Sequence, residues 1–266
     1  MKEIEIKKSQ MPEIAEIIGA FIGDGWIESN LSSLYITGHF TEDKAYYDEY
    51  LAKLFSKNLG QIKIKNFHYW SVYGIVSYNP IIIKKALRLG FQYGKKAYVA
   101  KIPEWILHSN DKKVYAAVIR GIFDTDGCFY CGKSYAPTSV EWKRTHNYIP
   151  HIFFSSCSLE LINQIKLLLT FFEIKTIIKI RKAGIFNGKK QKELYNLIIT
   201  KKNDVIKFFN EIGSSNPKHA TKYEIWKKQG YLSPKTTLIE RRNYLLQLQQ
   251  ISKKQLNFYK KDKFIQ

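Results

Sequence analysis

One seven-residue phrase is written twice in this chain: GAFIGDG at residues 19–25 and GIFDTDG at residues 121–127, 102 positions apart. Widened to AEIIGAFIGDG (15–25) and AVIRGIFDTDG (117–127), six of eleven positions match without a gap. Any fold for the chain must give both copies equivalent surroundings. Residues 12–23 follow helical spacing, with Pro12 suited to a first turn and Ile14, Ile17, Ile18, Phe21 and Ile22 recurring on it. Residues 111–125 repeat the pattern with Val114, Val118, Ile119, Ile122 and Phe123. Each helix carries a ridge of small residues four apart: Ala15, Gly19 and Gly23 in one, Ala117, Gly121 and Thr125 in the other. Glycine inside a helix costs about 1 kcal/mol relative to alanine. Its use at matching places predicts a close backbone approach. A single ridge is equally well explained by packing within its own domain; two in register predict a helix–helix seam at Gly19, Gly23, Gly121 and Thr125.

Both helices end in Asp-Gly, at Asp24-Gly25 and Asp126-Gly127, where glycine is a natural helix stop. An acid at a helix C-terminus is disfavoured by about 0.3–1 kcal/mol, because that end is already partially negative. One Asp-Gly alone is ordinary cap or turn chemistry. Two on parallel, packed helices bring two carboxylates and two negative helix ends together. A cation makes that arrangement comfortable, and oxygen ligands suit Mg²⁺ or another divalent cation, with Asp24 and Asp126 as its ligands. The charge balance indicates what such a metal would face. With 43 Lys and Arg against 23 Asp and Glu the net charge is +20, an excess that resists folding by self-repulsion and points to a polyanionic partner. A membrane surface is the competing polyanion, but no apolar run of spanning length and no lipidation signal is present. Beside a phosphate backbone, metals activate water and stabilise the leaving oxygen.

The phrases IIGAFIGDG (17–25) and IRGIFDTDG (119–127) resemble the two motifs of a single-chain LAGLIDADG homing endonuclease. The resemblance implies an α+β fold of two pseudosymmetric αββαββα halves packed through the motif helices. Their antiparallel sheets form a DNA-binding saddle. It also implies that the acid before the last glycine of each motif, Asp24 and Asp126, binds the catalytic metals. The sequence departs from the family pattern at Ile22, where a second acid is frequent; the other copy has Asp124 there. The implied activity is Mg²⁺-dependent hydrolysis of double-stranded DNA at a long site, by a monomer. Rival readings on the same scaffold are a maturase that binds its host intron RNA and a DNA-binding regulator that does not cut.

The rest of the chain repeats in the same order. Strand pairs Trp26–Asn30/Leu34–Phe40 and Gln61–Lys65/Tyr69–Ser77 are expected with helices Thr41–Leu59, Thr41 as N-cap, and Asn79–Leu89. The second half offers Cys128–Tyr135, Ile149–Ser155, helix Leu159–Phe172, Thr176–Arg181, Leu194–Lys201 and helix Asp204–Ile212. PIIIKKALRLG (80–90) aligns with NDVIKFFNEIG (203–213), and Ala97 with Ala220; the offset grows from 102 to 123, so about 21 extra residues fall in loops around 132–148 and 182–192. With 266 residues there is room for two units, expected at 1–99 and 100–229, and a basic helical extension at 230–266 opened by the capping box Thr237-x-x-Glu240.

Sheets can enter the major groove. On the strands and their loops, Lys63, Lys65, His68, Tyr69, Lys143, Arg144, Lys179, Arg181 and Lys192 are candidates for the DNA face, although each alone reads as a solvated side chain. The family also places a basic residue near the site after each half's last strand. Aligned on Gly90 and Gly213 that position is Lys202, with Lys201 an equal claimant, and Asn79 in the first half. Lys202 would stabilise charge on the phosphate. Cys128, Cys131, His146 and His151 have a spacing seen in zinc sites, but cysteines three apart in a strand face opposite ways and no helix accompanies the histidines, so zinc is not expected. MKEIEIKKSQ holds no apolar targeting run. The expectation is a soluble intracellular protein, in cytoplasm or nucleoid of a prokaryote or in an organelle of a eukaryote.

Overall fold

The computed structural model describes residues 6–132, 148–186 and 188–262. The first half runs α1 (Met11–Asp24), β1 (Gly25–Ile27), β2 (Leu34–His39), then α2 (Lys44–Tyr46) and α3 (Ala52–Asn58) joined by a π-helical turn at Tyr47–Leu51. It closes with β3 (Lys63–Phe67), β4 (Val72–Ser77) and α4 (Pro80–Arg88). A short α5 (Glu104–Leu107) leads to the second half: α6 (Lys112–Asp126), β5 (Cys128–Gly132), β6 (Ile149–Ser156), α7 (Leu159–Phe171), β7 (Ile177–Arg181), β8 (Gly184–Phe186), β9 (Lys189–Gln191), β10 (Leu194–Ile199) and α8 (Lys202–Glu211). Beyond it lie α9 (Pro217–Gln229) and α10 (Leu238–Asp262). The two four-stranded sheets have the same antiparallel order, β1-β2-β4-β3 and β5-β6-β10-β7.

Each sheet buries one side. Ile27, Leu34, Ile36 and Ile75 in the first half, and Phe129, Ile152, Phe154, Leu197 and Ile199 in the second, join α1 and α6 in one continuous apolar core. The seam between α1 and α6 is a backbone contact. A Cβ added at Gly19 would sit 3.1 Å from the Gly121 Cα and 3.0 Å from the Ile122 nitrogen, and one at Gly121 2.7 Å from the Ala20 nitrogen. Gly23 faces the Thr125 side chain in the same register, so the two helices run parallel and end together. Polar groups also cross the seam. Buried Glu16 of α1 pairs with Arg120 of α6 at 2.5 Å and accepts from Tyr50 Oη at 2.8 Å and Ser215 Oγ at 2.9 Å.

Several expectations are corrected by the packing. Thr41 is not an N-cap; its hydroxyl and backbone nitrogen turn back to His39 Nδ1, at 3.0 and 3.3 Å, and the helix begins at Lys44. Strand β4 begins at Val72 instead of Tyr69, because His68–Trp70 form a 3₁₀ turn and Ser71 takes a left-handed φ of 52°. Gly25 and Gly127 stop their helices in extended conformation, with φ of −86° and −81°, so left-handed freedom is not their reason. A Cβ there would press into the ring and carbonyl of Phe21 or Phe123. Part of the extra length at 182–192 forms the β8–β9 hairpin.

The C-terminal extension is bolted to both halves. Its capping box closes as Thr237 N donates to Glu240 Oε2 at 2.7 Å and Glu240 N to Thr237 Oγ1 at 3.3 Å. One turn on, Arg241 is 1% exposed; it donates to Glu42 of the first half at 2.7 Å and to Thr221 of α9 at 3.0 Å. Among the described residues no helix is long and apolar enough to cross a membrane.

Candidate active site between the motif helices

Because α1 and α6 are parallel and in register, Asp24 and Asp126 emerge side by side at the end of the seam. Burial raises Asp24 from 3.8 to about 7, reinforced by the charges of Asp126 and Asp43 and opposed by Lys218 and Lys96. Burial also raises Asp126, although one edge is exposed to solvent; Lys96 and Lys218 oppose that shift. Tyr47, on the π-helical turn, donates to Asp24 Oδ2 at 3.3 Å. Asp43 lies close by, since a Cβ on Gly38 would be 3.0 Å from both Asp24 Oδ2 and Asp43 Oδ2. Asp43 is itself held by Lys218 Nζ and Asn216 Nδ2, each at 2.8 Å.

Lys96 answers the electrostatic problem of an acid at a helix C-terminus. Its ammonium donates to the last carbonyls of α1, those of Phe21, Ile22 (2.7 Å) and Gly23 (3.1 Å), and lies 4.8 Å over the Phe21 ring. Burial lowers its pKa to about 8, against the pull of Asp126 and Asp24. In the aligned tails Lys96 corresponds to His219 and Lys95 to Lys218. His219 packs on Phe123 at 4.7 Å, as Lys96 does on Phe21, but neither of its buried ring nitrogens has a hydrogen-bond partner among the described residues. The two halves of the site are therefore chemically unequal. Asp124, in the position of Ile22, is fully buried; it accepts from Ser214 Oγ at 2.5 Å and Ser215 N at 2.8 Å and fixes the chain behind the site.

Lys202 is not among the cations acting on the two aspartates. Its ammonium sits 5.7 Å from the Trp226 ring, at the start of α8. The lysines beside the pair, Lys96 and Lys218, come from the segments after Gly90 and Gly213. Asn79 is the N-cap of α4, accepting from Ile81 N at 2.9 Å. Lys192 opens with Asp126, Lys96 and Trp26 onto a cleft of about 600 Å³, its ammonium 4.8 Å over Tyr98.

A hard divalent cation fits this donor set, which is made of carboxylate oxygens whose mutual repulsion it would relieve. Among the described residues no three His, Cys, Asp or Glu form a complete metal site, so substrate or water oxygens would complete the shell. Cys128 is exposed on one face of β5 and Cys131 is buried on the other; His146 lies outside the described residues.

The two sheets leave their other faces open. On the first, Lys63 shares a cross-strand row with Val76, Tyr35 and Trp26, and Lys65 one with Gly74 and Thr37. On the second, Lys179 lies beside Asn196 and Ser155, and Arg181 beside Leu194. His68 and Tyr69 project from the β3–β4 turn, Tyr69 being 95% exposed. Lys143 and Arg144 lie outside the described residues.

The family model of the LAGLIDADG-like domain matches residues 113–213. The fold is similar to that of I-DmoI in complex with DNA and Ca, with a TM-score of 0.50, 14% identity, and coverage of 82% of this chain and 100% of that one. Residues 113–213 thus resemble a LAGLIDADG-like domain, and the chain shares the fold of these endonuclease structures. The LAGLIDADG meganuclease I-AabMI bound to uncleaved DNA aligns at a TM-score of 0.50 with 13% identity, over 81% of this chain and 89% of its own. A point mutant of I-SmaMI aligns at 0.50 with 11% identity, over 85% and 90%. No curated protein matches the sequence.

Proposed function

We propose that this chain is a LAGLIDADG-type, monomeric, divalent-cation-dependent endonuclease that hydrolyses phosphodiester bonds of double-stranded DNA at one long site. The observation that carries this reading is the Asp24–Asp126 pair, gathered by the helix seam beneath two open sheet faces in a chain of net charge +20. DNA-bound structures of the same fold, I-DmoI with Ca and I-AabMI with uncleaved DNA, support it. Asp24 and Asp126 would hold Mg²⁺, which when bound supplies an activated water and charge stabilisation at the leaving oxygen.

The protein's own groups would do the rest. Tyr47 fixes one oxygen of Asp24. Lys218 and Asn216 pair with Asp43 Oδ1 and fix that third carboxylate beside the pair. Lys96 and Lys218 supply positive charge where negative charge develops on the phosphate. Lys63, Lys65, Lys179 and Arg181 would bind the duplex along the two sheets, and the duplex should span about two helical turns of about 10 base pairs each.

The test is selection. The protein is incubated with Mg²⁺ and a randomised or genomic duplex pool, and the cut ends are sequenced. One recurrent long site is the expected result. Failure to enrich any cut DNA, together with tight binding of a folded intron RNA, would favour the maturase reading.

A further inference from the structure

Two lysines stand beside Asp24 and Asp126, yet among the described residues neither is ion-paired with either aspartate. Each is held by something else. Lys96 donates to the last carbonyls of α1. Lys218, at the start of α9, reaches across to the first half and pairs with Asp43 Oδ1 at 2.8 Å.

The surroundings of Asp43 favour that contact. Asp43 precedes α2, a place where aspartate commonly caps its own helix, but its side chain makes no cap. Its Oδ2 accepts from His39 N at 3.0 Å, and its Oδ1 accepts from Asn216 Nδ2 at 2.8 Å as well as from Lys218. Asn216 is fully buried. Its Oδ1 accepts from Lys218 N at 2.9 Å, and its Nδ2 also donates to the Asp124 carbonyl of α6 at 2.8 Å. Carboxylate, amide and lysine are thus fastened together against the helix that ends in Asp126.

The other half lacks the acid. Trp26 pairs with Tyr35 and Cys128 with Phe153; counted on from these pairs, the counterpart of Asp43 is Leu161. Leu161 lines the same cleft as Lys96 and Asp126. A lysine satisfied by carbonyls needs no acid opposite it. At the end of α6, His219 takes the place on the Phe123 ring, and Lys218 has Asp43 as its acceptor instead. Without that acceptor Lys218 would have Asp24 within the length of its flexible stem. Asp24 Oδ2 and Asp43 Oδ2 both lie 3.0 Å from one point, the Cβ position of Gly38. An ammonium lodged on Asp24 would neutralise it, and a divalent cation would have to displace that ammonium to bind.

We propose that Asp43 is a positioning residue that holds Lys218 off the two aspartates and so keeps them open to a divalent cation. The inference rests on the cation reading above.

The experiment melts the protein, without DNA, in EDTA and in rising Ca²⁺, for the wild type, Asp43→Ala, Lys218→Met and the double variant. A cation that binds the folded state raises Tm by an amount set by its affinity. Each variant is compared with itself in EDTA, so a loss of fold stability common to both conditions cancels. Asp43→Ala should weaken Ca²⁺ binding about tenfold, the scale of coupling between contacting groups. Lys218→Met alone should change it by less than about threefold, and added to Asp43→Ala it should recover most of the loss. Asp43→Asn, which keeps an oxygen for Asn216, replaces Asp43→Ala if that variant does not fold, with the same expected pattern. Equal effects of Lys218→Met in the two backgrounds would make Asp43 a plain charge or a ligand and overturn the proposal. A wild type that gains Tm from Ca²⁺ while Asp43→Ala gains as much sinks this inference alone; a wild type that gains none removes the cation reading with it.

Discussion

Asp24 is a carboxylate held where its charge is unwelcome. Burial, then Asp126 and Asp43, raise its pKa to about 7. For an acid raised in the folded state, the stabilising contribution is complete below the unfolded pKa near 3.8 and is lost as pH rises through about 7. Asp24→Asn removes that loss. In EDTA the variant should melt a few degrees above the wild type at pH 8, with the gap closing towards pH 5; Mg²⁺ should raise the wild-type Tm more than the variant's. Each kcal/mol corresponds to about 2–4 °C in a chain of this size. A gap independent of pH would mean that the carboxylate is not opposed by its surroundings. Lys96→Met tests the other sign. It strips three α1 carbonyls of their donor, a cost of about 1–3 kcal/mol, and should lower both Tm and cleavage rate, whereas a change of rate alone would limit Lys96 to the chemistry. Both aspartates are visible in the sequence because they sit at matched positions of a repeated phrase. Lys96 and Lys218 are not, since they follow the last helix of each half, where no periodicity marks a lysine as buried. The available signal was the Ala97–Ala220 correspondence, which brings Lys95 opposite Lys218 and Lys96 opposite His219.

The seam depends on which atom a new side chain would strike. A Cβ at Gly19 meets the backbone of Val118 and Ile122, which cannot rotate away. At Gly23 it meets the Thr125 hydroxyl, which can, and the Thr125 Cβ at 2.9 Å, which moves only with its backbone. Gly19→Ala should therefore cost about 1–3 kcal/mol through overpacking. Gly23→Ala should cost less than Gly19→Ala, because it strikes mainly a side chain and alanine recovers about 1 kcal/mol of helix propensity. Thermal melts of the two variants check this, and equal losses would contradict the geometry. Small-residue ridges were legible because close helix approach demands them. The π-helical turn at Tyr47–Leu51, the α9 helix and the Glu16–Arg120 pair were not, because each depends on partners far apart in the chain. The extension shows the same limit: its capping box reads directly from Thr237 and Glu240, but the burial of Arg241 between Glu42 and Thr221 does not.

At the scale of the whole molecule, two halves of the same strand order are chemically unequal where the motif helices end, Lys96 standing in one and His219 in the other. The net charge of +20 should make binding strongly dependent on salt, each neutralised phosphate adding about −0.9 to the slope of log affinity against log salt for duplex DNA. RNA shares the charge but not the groove, because the major groove of A-form RNA is too deep and narrow to be read by a sheet. At fixed salt, competition should therefore favour the DNA duplex over the same sequence as duplex RNA. The most direct test of the account is the pair of rates and affinities for Asp24→Asn and Asp126→Asn on the selected duplex. Each variant should bind it in Ca²⁺ within about tenfold of the wild type and cut it in Mg²⁺ at least about 10²–10³-fold more slowly, the scale expected when one charge-stabilising group is lost. Wild-type cleavage by either variant would contradict the assignment of the site.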